Sequence, residues 1–438
     1  MLYDHCRADV GVLGAGIMGC CLALELAQQG FNIDLIDQAP APMQGASLHN
    51  EGKLHLGFVY AKDPSRTSHL LMLRGSLAFS RILERLTGCS AAEFLPSQPF
   101  YYFIPRDSQL ALNEIHDYFQ VVDEDIQDEI QRSGDSYLGR KITRFFELNS
   151  RDVHANLFSP DQTLGSFRTE EVSVSPAAVA DILTQAVKDH HNIQFIGNTE
   201  ILGAELLNAG EIRIDYQHKK TISSMIYSCV ANCLWDGKLN IDRSIGFPDT
   251  GAWISRYKAT INLSVPVINT NNIPSATGIL GSYGDVVNHG NGQYYLSWYP
   301  LCKMAQSVNQ DGRLLHDQIH PAAFSRFLQK ATLKFPSISK SLASMIHQEF
   351  FIENLSALAA FIPALEDLLD QRSTFELGGG VILARGSSDI DDPESYLHQR
   401  SEIGPTVFHN YLSIDTGKYC TAPMFAVQAA EMIKKILS

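Results

Sequence analysis

The N-terminal part of the chain combines short apolar runs with one run of helical spacing. Val10–Leu13 form a continuous apolar run of a buried strand's length, and apolar residues then recur at helical spacing over 18–29. A second apolar run, FNIDLID, follows Gly30 and closes on Asp37. This order predicts a βαβ unit whose two strands are parallel and joined by the helix.

The pattern changes after this unit. Amphipathic spacing predicts long helices at 65–88 and 110–134, with an aromatic, β-like run at 98–105 between them. A strand end followed by a helix is predicted at 172–190, where Pro176 lies near the first turn. The chain therefore does not continue as simple βαβ repeats.

Short strands predominate further along the chain. They are predicted at 193–207, 211–216 and 225–233, and as a meander at 252–266, 278–287 and 293–300. A helix is predicted at 322–345, and 411–438 has the pattern of a strand, a glycine turn and a final amphipathic helix. The alternation predicts an α/β fold (α+β overall) of two interleaved domains, one Rossmann-like and one built on an antiparallel sheet inserted in pieces.

Glycines between the first strand and helix form the pattern GxGxxG. The first glycine permits the tight turn, the second lets a pyrophosphate approach the backbone, and the third lets the helix pack on the strand. Asp37 lies 18 residues after Gly19, where a carboxylate accepts hydrogen bonds from ribose hydroxyls and repels the 2′-phosphate of NADP. The pattern does not separate NAD from FAD. The predicted nucleotide-binding residues are Gly14, Ala15, Gly16, Ile17, Met18, Gly19 and Asp37.

Composition excludes some classes of protein. The 438-residue chain is 45% hydrophobic and 19% charged, as soluble globular proteins are, and its net charge of −14 argues against nucleic acid as a partner. No segment has the ~20 apolar residues that span a bilayer, and the N-terminus lacks the basic region of a signal peptide. The eight cysteines contain no CxxC pair, and Cys20 and Cys21 are adjacent inside the predicted helix, so we predict core packing for these two and a cytoplasmic location.

Metal binding is not expected. The acid-rich segment 389–395, DIDDPES, has the Asp, Pro and Ser composition of a solvated turn rather than that of a calcium loop. We therefore predict no metal ligands.

Taken together, these motifs resemble the flavin-dependent oxidoreductase family of D-amino-acid oxidase and glycine oxidase, which also includes sarcosine oxidase-like and 2-hydroxyglutarate dehydrogenase-like members. The start GAGIMG…LID is similar to the FAD-binding start of that family, and ASLHNEGKLHLGFVY to its second segment. TEILGAEL resembles its adenine-contacting strand, VANCLWDG the strand and turn that return to the cofactor, and TGKYCTAPMFAVQAAEMI its closing turn and helix. The resemblance implies one FAD as cofactor.

The resemblance also implies positions for the cofactor contacts. Ser47 would bond a phosphate oxygen, Gly52 would bring the backbone close to the ring, and Lys53 and Leu54 would lie beside the flavin. The segment HLGFVY would then be a strand leading to the substrate cavity, with His55 at the flavin face. The further implied contacts are Asn50, Ile201, Trp235, Gly417, Lys418, Tyr419, Cys420 and Thr421. The family's second glycine after Gly417 is missing here, so Lys418 or the helix N-terminus would supply the positive field for a reduced flavin.

His49 raises the question of a covalent flavin. It precedes NEG at a spacing similar to that of the flavin-carrying histidine in some dimethylglycine dehydrogenase-like relatives. Most relatives hold flavin noncovalently, so the noncovalent state is our expectation and the covalent bond the alternative.

The resemblance implies oxidation of a carbon–nitrogen or carbon–oxygen bond by hydride transfer to flavin N5, with dioxygen or another electron acceptor completing turnover. Substrates of the family commonly carry a carboxylate, for which a guanidinium is the natural partner. Arg256 and Arg385 are our candidates for it, and Tyr257 and Tyr283 our candidates for closing the cavity. As a general base His55 would favour a 2-hydroxy acid, whereas the breadth of the family favours an amine or amino acid.

Two other functions stay open. A nicotinamide-dependent dehydrogenase would require further βαβ units after Asp37, and a non-catalytic flavin- or nucleotide-binding protein is compatible with the pattern. The predicted FAD-binding domain comprises 1–88, 168–246 and 370–438, and the predicted substrate domain 89–167 and 247–369.

Overall fold

A computed structural model describes residues 8–208, 210–249, 251–266, 273–309, 340–368 and 373–438. The helices in these ranges are α1 (Ile17–Gln28), α2 (Thr67–Thr87), α3 (Leu112–Ser133), α4 (Arg151–Leu157), α5 (Pro176–Asp189), α6 (Lys238–Ser244), α7 (Tyr299–Cys302), α8 (Lys340–Ala359) and α9 (Ala422–Leu437). Of the helix predicted at 322–345, the part before Lys340 lies outside the described residues.

Most strands of the described ranges fall at predicted positions, whereas those at 146–148, 163–169, 303–309, 374–385 and 404–408 were not predicted. The strands are β1 (Val10–Leu13), β2 (Ile33–Ile36), β3 (Phe100–Pro105), β4 (Phe146–Leu148), β5 (Thr163–Thr169), β6 (Ile193–Ile196), β7 (Thr199–Leu206), β8 (Ile212–His218), β9 (Thr221–Tyr227), β10 (Cys229–Asn232), β11 (Trp253–Ser264), β12 (Ser275–Gly278), β13 (Gly284–Gly290), β14 (Gln293–Trp298), β15 (Lys303–Asn309), β16 (Thr374–Arg385), β17 (Gly404–Phe408) and β18 (Tyr411–Asp415).

The first sheet is the predicted Rossmann-like one. Its order is β17-β18-β10-β1-β2-β6, in which only the pair β17–β18, among the described strands, is antiparallel. Helix α1 packs between this sheet and α9, which explains why it is apolar on all sides. Because β1, β2, β10 and β18 run in the same direction, the residues that follow them meet at one edge, where such sheets bind ligands.

The second sheet is largely antiparallel and begins with β3. Its path among the described strands is β15-β11-β14-β13-β12-β3-β5-β4, and β16 pairs with β11 along its whole length. Strand β16 falls in the predicted FAD-binding range 370–438 and pairs with β11 of the second sheet. Strands β7, β8 and β9 form a separate small sheet.

One prediction of secondary structure is wrong. The segment HLGFVY is not a strand, because Phe58–Tyr60 form a short 3-10 helix. Just before this segment, Lys53 makes an isolated antiparallel bridge to Ser173. Gly57 has φ 116° and precedes that helix, so the chain turns where the alternating residues suggested extension.

The hydrophobic core joins the two sheets. Its largest cluster includes residues of β1, α1 and α9 and also Phe100, Tyr102 and Tyr295 of the second sheet. Within the described ranges, none of the helices combines the length and hydropathy needed to cross a bilayer.

Candidate active site

A cavity of about 810 Å³ lies where the carboxyl edge of the first sheet faces β11 and β16 of the second. This volume is typical of cofactor and ligand sites. Most of the predicted cofactor-binding residues line it: Gly14, Ala15, Gly16, Ile17, Met18, Asp37, Ser47, His49, Asn50, Lys53, Ile201, Trp235, Gly417, Lys418 and Tyr419. The predicted residues that do not line it are Gly19, Gly52, Leu54, Cys420 and Thr421.

The glycine-rich loop has the geometry that the sequence predicts. Gly14 has φ +95°, and a Cβ there would lie 2.7 Å from the Cys233 carbonyl oxygen. A Cβ on Gly19 would lie 1.8 Å from the Gly14 oxygen, so this glycine permits the close helix–strand contact without facing the cavity. Gly16 precedes α1 and offers no side chain to cap it. The loop thus leaves the helix N-terminus open to an anion.

Asp37 fixes this loop with its carboxylate. Its Oδ2 accepts from the Ala15 N–H at 2.6 Å and its Oδ1 from the Ala39 N–H at 2.8 Å. Each carboxylate oxygen has a second lone pair, so the group that lines the cavity is still able to accept from ribose hydroxyls. Ile201, which also lines the cavity, lies in β7. Trp235 is held by a 2.7 Å hydrogen bond from its Nε1 to the Val381 oxygen.

The segment after β2 crosses the cavity in a fixed conformation. Ser47 Oγ accepts from the Ile17 N–H at 3.0 Å, which puts the hydroxyl at the N-terminus of α1, where a phosphate would also bind. Asn50 Nδ2 donates to the Ala46 and Ser47 carbonyls, and its Oδ1 accepts from the Gly52 N–H at 2.7 Å.

Gly52 makes a close packing contact on the side away from the cavity. It has φ +66°, and a Cβ would lie 2.0 Å from the Val174 oxygen. The glycine is therefore required for packing against 172–176, outside the cavity. Leu54 likewise donates its N–H to the Val172 oxygen at 3.0 Å, and Thr421 Oγ1 donates to the backbone of the closing turn. These residues support the cavity wall from behind.

Lys53 is buried at the cavity wall with its side chain extended towards the second sheet. Its Nζ bonds Thr277 Oγ1, lies 3.5 Å from Asp285 Oδ1 and stands 3.8 Å from the centroid of the Phe100 ring. The lysine is thus not a solvated side chain. Asp285, which faces both Lys53 and Lys258, has its carboxyl pKa lowered by these two cations against the opposing effect of burial.

His55 also lines the cavity and is buried. Burial, followed by the positive charges of Lys418 and Lys53, lowers its pKa well below 6.5, so the imidazole is neutral at pH 7. Its Nδ1 lies 3.8 Å from Glu171 Oε1, beyond hydrogen-bonding distance. Glu171 itself is engaged by the Leu56 N–H and the Tyr102 hydroxyl.

Strand β11 contributes two neighbouring residues to the cavity. Tyr257 and Lys258 would point to opposite faces of a regular strand, yet both line the cavity. The pairing with β15 shifts register between them, and such a bulge redirects side chains. Thr260 and Tyr295 complete this wall, and the sequence analysis missed both, together with Lys258.

Neither of the predicted carboxylate-binding arginines lines this cavity. Arg256 is buried, and its guanidinium binds Asp389 Oδ1 at 3.0 Å and the Tyr299 hydroxyl at 2.6 Å. Arg385 pairs with Asp249 at 3.1 Å and lies over the Trp253 ring. Tyr283 is also outside the cavity, because its hydroxyl donates to Asp107 at 2.7 Å.

The acid-rich segment 389–395 is only partly the solvated turn that we predict. Residues 391–394 are exposed, but Asp389 is buried and accepts bonds from Arg256, Tyr299 and Lys303. Within the described residues, no three His, Cys, Asp or Glu side chains are grouped so that they could hold a metal ion.

Arg400 and Lys418 face the cavity without a direct ion pair to a described acid, although Asp415 acts on Arg400, and Glu51 on Lys418, from beyond ion-pair distance. Arg400, which the sequence analysis missed, donates to the Gly417 oxygen at 3.2 Å. Among the described residues no carboxylate oxygen lies within 4.0 Å of either cation. Burial and the neighbouring Arg400 lower the pKa of Lys418 to about 8. The pair therefore offers positive charge to a bound anion.

Several buried polar atoms of the lining also lack a partner among the described residues. They are His55 Nδ1, Thr260 Oγ1, the Tyr295 hydroxyl and the Tyr419 hydroxyl. Unsatisfied buried groups are costly unless a ligand completes their bonds. Together with the open helix N-terminus and Asp37, they fit an extended dinucleotide with a polar ring system at its far end.

Residues 9–243 match the family described as FAD dependent oxidoreductase (DAO). Because the match covers more than half of the chain, the protein belongs to this family of FAD-dependent oxidoreductase enzymes. The nicotinamide-dependent and non-catalytic alternatives are thereby set aside.

Curated relatives match over short segments. One segment of 44 residues, 10% of this chain and 7% of the relative, is 50% identical to the tRNA 5-methylaminomethyl-2-thiouridine biosynthesis bifunctional protein MnmC of Ralstonia nicotianae. Another of 51 residues, 12% of each chain, is 39% identical to D-amino acid dehydrogenase 2 of the same organism. The matched segments thus span only a small part of the relatives' own length.

Solved structures share the fold over nearly the whole chain. Glycine oxidase from Geobacillus kaustophilus is similar with a TM-score of 0.64 at 11% identity, covering 98% of this chain and 95% of its own. L-α-glycerophosphate oxidase from Mycoplasma pneumoniae, solved with FAD bound, has a TM-score of 0.61 at 13% identity, with the same coverage.

Proposed function

We propose that the protein oxidises a small carboxylate-bearing amine or amino acid. The observation that carries this proposal is the pair Arg400 and Lys418, two cavity-lining cations that have no acid within ion-pair distance among the described residues. A buried cation without a contacting counter-ion is unfavourable, so a substrate carboxylate at this end of the cavity would be stabilised. Glycine oxidase and D-amino acid dehydrogenase among the similar proteins are compatible with such a substrate.

FAD, when bound, supplies the redox chemistry by accepting a hydride at N5. The chain's own residues hold and orient the two reactants. The glycine loop and Asp37 would bind the ADP half, and Ile201 and Trp235 would lie along the adenosine. Lys53, His55 and Lys418 would surround the flavin ring. Tyr257, Thr260 and Tyr295 would form the opposite wall, which excludes water from the reacting carbon.

The lowered pKa of His55 bears on the choice between amine and alcohol. An alcohol must lose its hydroxyl proton, and a base near pH 7 helps this step. A histidine whose pKa lies well below 6.5 is neutral but a weak base. Once its ammonium group has lost one proton, an amine needs no further base for hydride transfer, so the amine class fits this environment better.

The experiment is anaerobic flavin reduction with a matched panel of amino acids, N-methyl amino acids and 2-hydroxy acids. We expect bleaching by an amine member of the panel. In His55→Ala the amine reaction should be retained, whereas loss of about 10²-fold or more would make His55 a general base. No bleaching by any carboxylate substrate would contradict the proposal. Acid precipitation of the yellow protein tests His49, because colour left in the supernatant excludes a covalent bond.

Nucleic acid is not proposed as a substrate. The name of the Ralstonia relative refers to tRNA, but it is similar to this chain over only 44 residues. A net charge of −14 does not favour binding to a phosphate backbone. A cytoplasmic location and dioxygen as acceptor remain predictions.

A further inference from the structure

Glu51 is one of the acids that line the same cavity as these cations, together with Asp37, Glu200 and Asp236. Its backbone is held on both sides, by Asn50, which bonds the Ala46 and Ser47 carbonyls, and by Gly52, which is fixed against Val174. The side chain is half-buried and makes no ion pair within 4.0 Å among the described residues. The fold thus places a carboxylate in the cavity without giving it a direct partner.

The surroundings of Glu51 are cationic. Lys53 and Lys258 share Asp285, with nitrogen–oxygen distances of 3.5 Å to each. Among the described residues, Arg400 and Lys418 have no acid within 4.0 Å. The negative charge of Glu51 acts on Lys258 and Lys418 and on the buried hydroxyls of Tyr60 and Tyr295. Glu51 also lies two residues before Lys53 and lines the cavity together with Lys418 and Arg400, so its carboxylate faces the space proposed for the substrate.

An acid at this position is unfavourable for binding a simple carboxylate, because it repels the ligand's charge. It is favourable when the ligand also carries a cation next to its carboxylate, as amino acids do. A 2-hydroxy acid has no such group. The combination of two unpaired cations and one unpaired acid therefore corresponds to a zwitterion.

We propose that Glu51 is a specificity-determining residue that selects substrates with a cationic amino group. The inference rests on the proposed function, since it assumes that the carboxylate binds at Arg400 and Lys418. It adds the group that recognises the nitrogen in its ammonium form and so separates amino acids from 2-hydroxy acids. Hydride leaves from the neutral amine, so the bound ammonium first passes its extra proton to the neighbouring Glu51 carboxylate.

The test uses two ligands of the same shape that flavin enzymes do not oxidise readily. Glycine betaine carries a carboxylate and a permanent cation, and 3,3-dimethylbutanoate has a neutral carbon in place of that nitrogen. Their dissociation constants are measured on the FAD-loaded protein through changes in the flavin spectrum. The same proteins are assayed for kcat/KM with N-methylglycine and glycolate.

In Glu51→Gln we expect betaine to bind about tenfold more weakly or worse, as for the loss of a charge-assisted contact. The neutral ligand should bind equally well or more tightly. Glu51→Asp should keep the preference for betaine. Glu147→Gln removes an exposed acid from β4 and should change neither the dissociation constant of betaine nor that of 3,3-dimethylbutanoate.

Equal weakening of both ligands in Glu51→Gln would show a structural role and overturn the inference, as would no change in betaine binding. A wild-type protein that oxidises only glycolate-type substrates and fails to prefer betaine would also overturn it, while leaving carboxylate recognition intact. Failure of every carboxylate substrate to reduce the flavin would instead refute the proposed function.

Discussion

Gly16 shows how much depends on one missing side chain. A Cβ there would lie 2.9 Å from Ser47 Oγ, at the point where the pyrophosphate is expected to approach α1. We predict that Gly16→Val abolishes FAD binding, because the side chain would occupy the approach and displace Ser47. The flavin absorbance per protein after gel filtration measures this.

Gly203→Ala is the matched control. Its added Cβ would meet Ser244 only at 3.7 Å, an ordinary contact, and the residue does not line the cavity. This variant should retain FAD. If Gly16→Val also retained it at the wild-type level, the cofactor would not bind at the glycine loop.

Lys418 predicts a pH dependence of anion binding. Burial lowers its pKa from 10.5 to about 8, so it is charged below that pH and neutral above it. Binding of 3,3-dimethylbutanoate should therefore weaken as the pH rises through about 8. In Lys418→Met this inflection should disappear and binding at pH 7 should be weaker. An unchanged inflection in the variant would assign it to another group.

The pH dependence of folding stability that Lys418 causes has the opposite sign to that of anion binding. The folded state holds the Lys418 proton less tightly than the unfolded state does. Between about 8 and 10.5 the unfolded chain therefore binds more protons, and this residue makes the free energy of unfolding rise with pH. Below about 8 the cost of burying the charge is fully present in the ligand-free protein.

At residue level, sequence reasoning found the nucleotide-binding end better than the substrate end. The glycines and Asp37 follow from local chain geometry, which the pattern encodes. Arg256 and Arg385 are predicted partners of a substrate carboxylate because of their guanidinium groups, but Asp389 and Asp249 pair with them from distant parts of the chain. Arg400 faces the cavity because its loop folds over α2, where Ser68 accepts its N–H, and no local pattern reports such a contact.

At the level of elements, the helices and strands with long periodic patterns were predicted well. The exceptions have local causes. Gly57 at φ 116° turns the chain into a 3-10 helix where alternation suggested a strand. The register shift between Tyr257 and Lys258 puts two neighbouring side chains on one wall, which a strict period of two excludes.

The loop between β16 and β17 links a buried ion cluster to the cavity. Asp389 near its start binds Arg256, Tyr299 and Lys303, and Arg400 near its end faces the cavity. We predict that Asp389→Asn raises KM for a carboxylate substrate several-fold and changes kcat less, because the loop that carries Arg400 loses its anchor. Leaving Arg256 partly unpaired should also lower the free energy of unfolding by about 2–4 kcal/mol.

Asp391→Asn is the control for this prediction, since Asp391 is exposed in the same loop. It should leave KM and stability near wild type. Steady-state kinetics and urea denaturation measure the two effects. A loss of stability in Asp389→Asn without a change in KM would mean that the cluster does not position Arg400.

At the level of the whole molecule, the two sheets share both a core and a cavity. The largest hydrophobic cluster runs from α1 and α9 to Phe100 and Tyr295. The cavity is lined by the glycine loop on one side and by Tyr257, Lys258 and Tyr295 on the other. The predicted domains are therefore coupled through apolar packing and through whatever the cavity binds.

This coupling predicts how FAD affects unfolding. A ligand that binds only the folded state stabilises it by about 2.7 kcal/mol at a hundredfold excess over Kd. FAD would contact both sheets. We therefore expect its removal to lower the Tm followed by tryptophan fluorescence and the Tm followed by far-UV circular dichroism alike. Adding FAD back should restore a single transition that both probes report at the same temperature. Gly16→Val should show no FAD-dependent shift. If FAD raised Tm for one probe and left a second, unshifted transition, the cofactor would be bound by one domain alone and the contacts of β11 and β14 with it would be ruled out.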